Sequence, residues 1–167
     1  VGSVSVYKDA EGQIVSRYDG TVGAPDPDPG SAHSDEDPIL EGTVAPFTRA
    51  FTAYVRNELG FATDLAYTLL NGEVSRHWEW REGNSGGRQN LGAADALAHA
   101  LSLQPRLKVL IAHGLTDLTT PYMMSRYIVE HLPGNITAER VTLKLYPGGH
   151  MMYLRSGSRR RLHDDAA

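Results

Sequence analysis

The chain has 167 residues, the length of one ordinary domain. Its 41% hydrophobic content supplies a core, and its mean hydropathy of −0.34 is that of a soluble chain. A net charge of −4 gives no reason to expect a polyanion partner, and the absence of cysteine excludes disulfides, thiolate zinc sites and cysteine nucleophiles. No apolar run approaches the roughly 18 residues of a membrane-spanning helix. The first residues, Val1-Gly-Ser-Val-Ser-Val6, have neither the basic nor the apolar region of a signal peptide. They also lack an initiator Met, which points to a processed, trimmed or internal start. The cellular compartment is not legible.

In chain order, Val4 and Val6 alternate with polar residues, Asp9 to Gly12 supply a turn, and Ile14 to Tyr18 return. This predicts a β-hairpin within an N-terminal unit, residues 1–22. Residues 23–38 are rich in Pro and acid and read as an exposed linker. Asp26, Asp28, Asp35 and Asp37 could be imagined as a calcium loop, but their spacing fits no EF-hand. The remainder, 39–167, reads as one α/β region. A helix is expected from Thr43, as cap, to Leu59. Its apolar stripe is Val44, Phe47, Phe51, Tyr54, Val55 and Leu59, and Gly60 ends it. Asp64 to Leu70 reads as a short helical turn broken by Asn71-Gly72. Arg76 to Arg81 is a short aromatic segment, and Glu82 to Arg88 a loop. A helix over 91–103 follows.

Residues 107–112 form a nearly continuous apolar run, the pattern of a strand covered on both faces. Thr120-Pro121 reads as the cap and first residue of a helix reaching His131. Residues 141–146 are the next strand, and a last helix covers 153–162. A helix between two strands implies a βαβ crossover with parallel strands. The expected fold class is therefore α/β, with flanking helices and an N-terminal hairpin.

Asp117 and His150 each lie just beyond one of these strands. The carboxyl ends of parallel strands are where functional residues gather in open α/β sheets. In that arrangement the Asp orients an imidazole, which takes a proton from a hydroxyl and returns it to a leaving group. Pro147-Gly148-Gly149 allows a sharp turn ahead of His150. The segments Thr116-Asp-Leu-Thr-Thr-Pro-Tyr122 and Gly148-Gly-His-Met-Met-Tyr153 resemble the Asp and His motifs of bacterial serine carboxypeptidases. Tyr18-Asp-Gly20, Pro25-Asp-Pro-Asp28, Ala50-Phe-Thr-Ala-Tyr54, Glu58-Leu-Gly60 and Trp78-Glu-Trp80 extend the resemblance upstream. It implies the C-terminal part of an α/β-hydrolase fold and a peptide-cleaving activity. It assigns the family's Asp and His roles to Asp117 and His150.

The family's Gly-Glu-Ser-Tyr-Gly-Gly nucleophile segment has no counterpart here. A literal Gly-x-Ser-x-Gly match at Gly83 to Gly87 would make Ser85 the nucleophile. It lacks the preceding apolar strand, and the chain between Ser85 and Asp117 holds only one helix and one strand. An alternative without a Ser is glycoside hydrolysis by Asp117 with Glu79 or Glu82, beside Trp78 and Trp80. A third reading is a non-catalytic binding domain or fragment. His99, His113 and His131 have no metal-ligand spacing, so neither metal nor cofactor is expected. Arg159 to Arg161, followed by Asp164-Asp165, reads as a solvated helix face. No nucleic-acid or membrane partner is expected. Two buried strands have unpaired edges, so a second copy or a complementing Ser-containing chain is the expected partner, with a peptide or other small substrate.

Overall fold

The computed structural model describes residues 7–8, 12–31, 36–78, 94–137 and 139–167. The chain is mixed α/β, with two small sheets. The first is antiparallel, in the order β1 (Tyr7–Lys8), β2 (Gln13–Val15), β3 (Gly23–Pro25). The expected hairpin is thus present and carries a third strand taken from the segment read as linker. Ile14 pairs with Ala24 and is buried.

Helix α1 spans Pro38–Asn57 and starts five residues before the expected Thr43. Asp37 is the cap: its carboxylate accepts from the backbone N–H groups of Ile39 (3.0 Å) and Leu40 (3.4 Å), and Pro38 takes the first helical position. Thr43, read as the cap, instead donates to the Ile39 carbonyl one turn back. Gly60, in the left-handed region at φ 65°, closes the helix end as expected. No residue of α1 is fully buried, and Phe51 and Tyr54 stand about half exposed. Residues 64–70 form bends rather than a helical turn. Asn71-Gly72 starts a helix rather than breaking one: Asn71 caps α2 (Gly72–His77) by accepting from Glu73 N–H.

After α3 (Ala94–Leu103), Leu107 N–H donates to the Gln104 carbonyl and closes a turn through Pro105 that leads into β4 (Val109–Gly114). The strand is displaced two residues from the expected 107–112. Helices α4 (Tyr122–His131) and α5 (Gly134–Thr137) lead to β5 (Val141–Tyr146). β4 and β5 pair in parallel, with Val109 opposite Val141 and Gly114 opposite Tyr146, as the crossover pattern required. A 3₁₀ turn (Met152–Leu154) and α6 (Ser156–Ala166) complete the chain.

The apolar run of β4 is only half-buried up to Gly114, so the expected double covering is incomplete. β5 alternates half-buried Val141, Leu143 and Leu145 with exposed Thr142 and Lys144, the pattern of a sheet with one wet face. α6 meets that second face at its end. Asp165 accepts from the fully buried Tyr146 hydroxyl at 2.8 Å and pairs with Lys144 at 3.2 Å. Burial and this neighbouring carboxylate push the Tyr146 phenol up to about 12.

Where the strands end, backbones touch. A Cβ on Gly114 would strike the carbonyls of Gly148 and Gly149. A Cβ on Gly149 would strike the Tyr18 carbonyl and Asp19. These positions require glycine because the β4 end, the loop after β5 and residues 18–19 are stacked at backbone contact. Gly114→Ala and Gly149→Ala should each cost about 3 kcal/mol or prevent folding. Gly42→Ala, in α1 with open space around it, should gain roughly 0.5–1 kcal/mol. Urea unfolding followed by circular dichroism measures all three, and equal stabilities would remove the close-packed junction.

Candidate active site

The parallel pairing continues past the strands. Leu115 N–H donates to the Tyr146 carbonyl and Thr116 N–H to the Gly148 carbonyl, both at 3.0 Å. The loops bearing Asp117 and His150 therefore leave the sheet side by side, and the two side chains meet. His150 Nδ1 lies 2.8 Å from Asp117 Oδ2. The Asp117 side chain is 3% exposed and that of His150 41%.

The two oxygens of Asp117 have different work. Oδ1 accepts from the backbone N–H groups of Thr119 (2.8 Å) and Thr120 (3.0 Å), which closes a turn over the carboxylate. Oδ2 accepts from Thr120 Oγ1 (2.7 Å) and faces the imidazole. Burial would raise this carboxyl's pKa. The hydrogen bonds from Thr120 backbone and hydroxyl, His150 and Thr119 outweigh it and hold the group below the usual carboxylate range. An ionised carboxylate only accepts, so Nδ1 carries the hydrogen that meets Oδ2, and Nε2 lies on the other side of the ring.

Thr120 is a correction. It was expected to cap α4, but that cap position falls on Pro121 and makes no side-chain bond. Thr120 Oγ1 instead bridges the pair, 2.7 Å from Asp117 Oδ2 and 3.1 Å from His150 Nδ1.

A second buried carboxylate, Asp19, holds the site from below. Its Oδ1 accepts from Thr116 Oγ1 (2.6 Å) in the Asp117 loop and from Thr21 Oγ1 (2.7 Å) and N–H (3.1 Å). Its Oδ2 accepts from Gly149 N–H (3.1 Å), next to His150, and from Arg155 (2.9 Å) before α6. Burial acts to raise the Asp19 pKa. The bonds from Thr116, Thr21 and Arg155 reverse this and lower it. The backbone beside Asp19 makes the same links: Gly20 N–H donates to the Thr116 carbonyl, Leu118 N–H to the Arg17 carbonyl, and His150 N–H to the Tyr18 carbonyl at 2.6 Å. The Tyr18 ring stands 5.6 Å from the His150 ring. Sequence reasoning quoted Tyr18-Asp-Gly20 as part of a resemblance but gave Asp19 no role. Apart from Thr21, its partners lie 97 to 136 positions away, where no local pattern reaches.

The other sequence candidates are placed as follows. Glu79, Glu82, Ser85 and Trp80 lie outside the described residues. Trp78 is exposed. His113 Nε2 meets Ser125 Oγ on α4 at 2.8 Å, and His131 stacks on Tyr127. Among the described residues no cluster of His, Asp or Glu could hold a metal. Of the acidic quartet, Asp26 binds the Asp28 N–H, Asp37 caps α1 and Asp35 lies outside the described residues. Arg161 lies over the Tyr146 ring, and Arg159 donates to the Tyr153 carbonyl. Comparison with protein-family models, curated proteins and solved structures found no significant match.

Asp19 and Asp117 have folded-state pKa values below those of the unfolded chain. Each contributes stability that is complete above about pH 4 and lost as pH falls through the depressed value. Asp19→Asn and Asp117→Asn should therefore flatten the acid limb of the stability profile and lower stability at pH 7 by about 2–4 kcal/mol each. Denaturant midpoints between pH 2 and 7, in roughly unit steps, test this. Thr120→Val removes one bond to Oδ2 and should cost about 1–2 kcal/mol while Nδ1 keeps its hydrogen, seen in ¹⁵N imidazole shifts.

Proposed function

We propose that this chain supplies the Asp and His of a serine-type hydrolase with an α/β-hydrolase fold of the serine carboxypeptidase kind. The attacking hydroxyl comes from a complementing chain or segment beyond the described residues. One observation carries the reading: a buried, ionised Asp117 holds Nδ1 of an accessible His150 at 2.8 Å, beyond the carboxyl ends of two parallel strands. In this role Nε2 takes the proton from the attacking hydroxyl and later delivers it to the leaving group. Asp117 fixes the tautomer and stabilises the imidazolium formed between those steps. Thr120 Oγ1 donates to Asp117 and is therefore on the wrong side of the ring to be the nucleophile.

The carboxylate-only alternative asks more of Asp117. A glycoside general acid needs a raised pKa, whereas four hydrogen bonds hold this group low. Glu79 or Glu82 would have to supply the acid.

The sheet supports a complementing partner. Among the described residues, β4 and β5 form a two-stranded sheet whose outer edges have no strand beside them. Only Ile14, Leu101, Tyr146 and Met152 are buried apolar side chains there. A partner strand against β4 would extend the sheet and bring a nucleophile loop to the same edge as Asp117 and His150. Sedimentation at roughly micromolar concentration should show self-association, and a stable monomer would count against an uncovered edge.

Activity gives the decisive comparison. The chain alone should cleave activated esters and peptides weakly, because a triad without its nucleophile keeps at most about 10³–10⁴-fold over water. Asp117→Asn and His150→Ala should remove what remains, while Ser85→Ala should leave it unchanged. Loss of activity in Ser85→Ala would make that residue the nucleophile. Hydrolysis of a starch-type substrate that survives His150→Ala and fails in Glu79→Gln would replace this reading with the sugar reading.

A further inference from the structure

Arg17 is a cation that the proposed chemistry does not use. Its backbone N–H is fixed by the buried Asp37 carboxylate at 3.0 Å, so the residue is anchored. Its guanidinium lies 4.9 Å from the centre of the Tyr18 ring and donates to the Tyr18 hydroxyl at 3.1 Å. Among the described residues no carboxylate comes within ion-pair distance of it. It stands instead in the wall of a groove of about 500 Å³, whose other walls include Tyr18, Leu40, Leu69, Leu70 and Val74. Tyr18 is shared: one ring separates this groove from His150.

We propose that this groove binds a small organic acid with an apolar tail. The carboxylate pairs with Arg17 and the tail lies on the leucines and Val74. The charge pattern carries the assignment. Among the described residues of the groove's walls, Arg17 is the one ionisable side chain apart from the Tyr18 phenol, and the others are apolar or neutral. Arg17 gives one bond to the Tyr18 hydroxyl, and a guanidinium carries five N–H donors, so others are left for the charge-assisted bonds that a carboxylate accepts. Leucine and valine walls favour a hydrocarbon or aromatic group over a polar one. Tyr18, which lines the groove beside Arg17, also stands 5.6 Å from the His150 ring. A role for the bound acid in the reaction rests on the function proposed above; the binding itself does not.

The test titrates the ¹⁵N-labelled chain with N-acetyl-phenylalanine, its uncharged amide and 3-phenylpropanoate. Both acids should move the Arg17 side-chain N–H signal and the backbone signals of residues 68–72. The amide should bind about tenfold more weakly or worse, the discrimination expected of one charge-assisted pair. Stronger binding of the acetylated amino acid identifies a peptide terminus, and equal binding identifies simple acids; both support the groove. Arg17→Ala leaves the backbone bond to Asp37 in place and should erase the preference for acid over amide. Val74→Asp, on an exposed wall position, should abolish acid binding without touching Arg17. Asp117→Asn should bind like the parent chain, so loss of the hydrolase reading would leave this result standing. Equal binding of acid and amide, shifts confined to residues away from the groove, or no shift with either acid at about 10 mM would overturn the proposal.

Discussion

The carboxylate of Asp19 is the contact on which the rest of the site depends. Its two oxygens accept from the Asp117 loop, the His150 loop, the residue ahead of α6 and its own turn at Thr21. The parallel strands alone bring the two loops within a strand spacing of each other, about 4.8 Å. That distance is too coarse for a 2.8 Å hydrogen bond between side chains. Asp19 fixes the remainder by tying Thr116 and Gly149, each next to a member of the pair, to one buried group. The arrangement carries a physical cost, because an ionised carboxylate is taken out of water. Its five donors offset that cost, which is why the group stays ionised although burial favours the neutral form.

The N-terminal sheet therefore serves the site directly. Residues 16–22 run between the two loops, and Ser16 and Asp37 hold that segment: Ser16 Oγ donates to Asp37 at 2.7 Å and accepts from Tyr18 and Asp19 N–H groups. Asp37 in turn caps α1. One chain of hydrogen bonds thus runs from the start of a helix, through a buried serine and aspartate, to the backbone of His150. The segment with the least apolar content supplies one anchor, Asp37, because buried polar groups that satisfy one another can replace a hydrophobic contact where backbones converge. The glycines at 114 and 149 belong to the same junction, since no side chain would fit between the converging backbones.

How much of this was legible follows from the range of each interaction. β5, the end of α4 and the parallel pairing were readable because apolar period and Pro-Gly punctuation are local signals. Asp117 and His150 were readable because each follows an apolar strand pattern at its carboxyl end. The start of α1 was missed because Thr43 and Asp37 are both good caps. Only the tertiary bonds from Ser16 and Arg17 to Asp37 decide between them. Thr120 was misread for the related reason that a threonine before proline suits a helix cap, yet its hydroxyl is turned to donate to the buried carboxylate three residues back. Asp19 carried no local signal at all.

The distribution of burial separates the site from its surroundings. Asp19, Asp37, Asp117, Ser16 and Ser158 are all buried, while large apolar residues such as Phe51, Leu65, Tyr127 and Met124 stand open to solvent. A domain stabilised mainly by its hydrophobic core has the opposite balance. Here the polar network around Asp19 defines the geometry of the Asp117–His150 pair, and the apolar faces of α1 and α4 contribute little burial of their own. A partner that covered those faces would add stability without having to build the pair, because the pair is already held by bonds internal to this chain. Organisation of the Asp117–His150 pair and burial of the apolar helix faces are thus separable among the described residues: bonds within the chain set the first, and the second is left open to solvent.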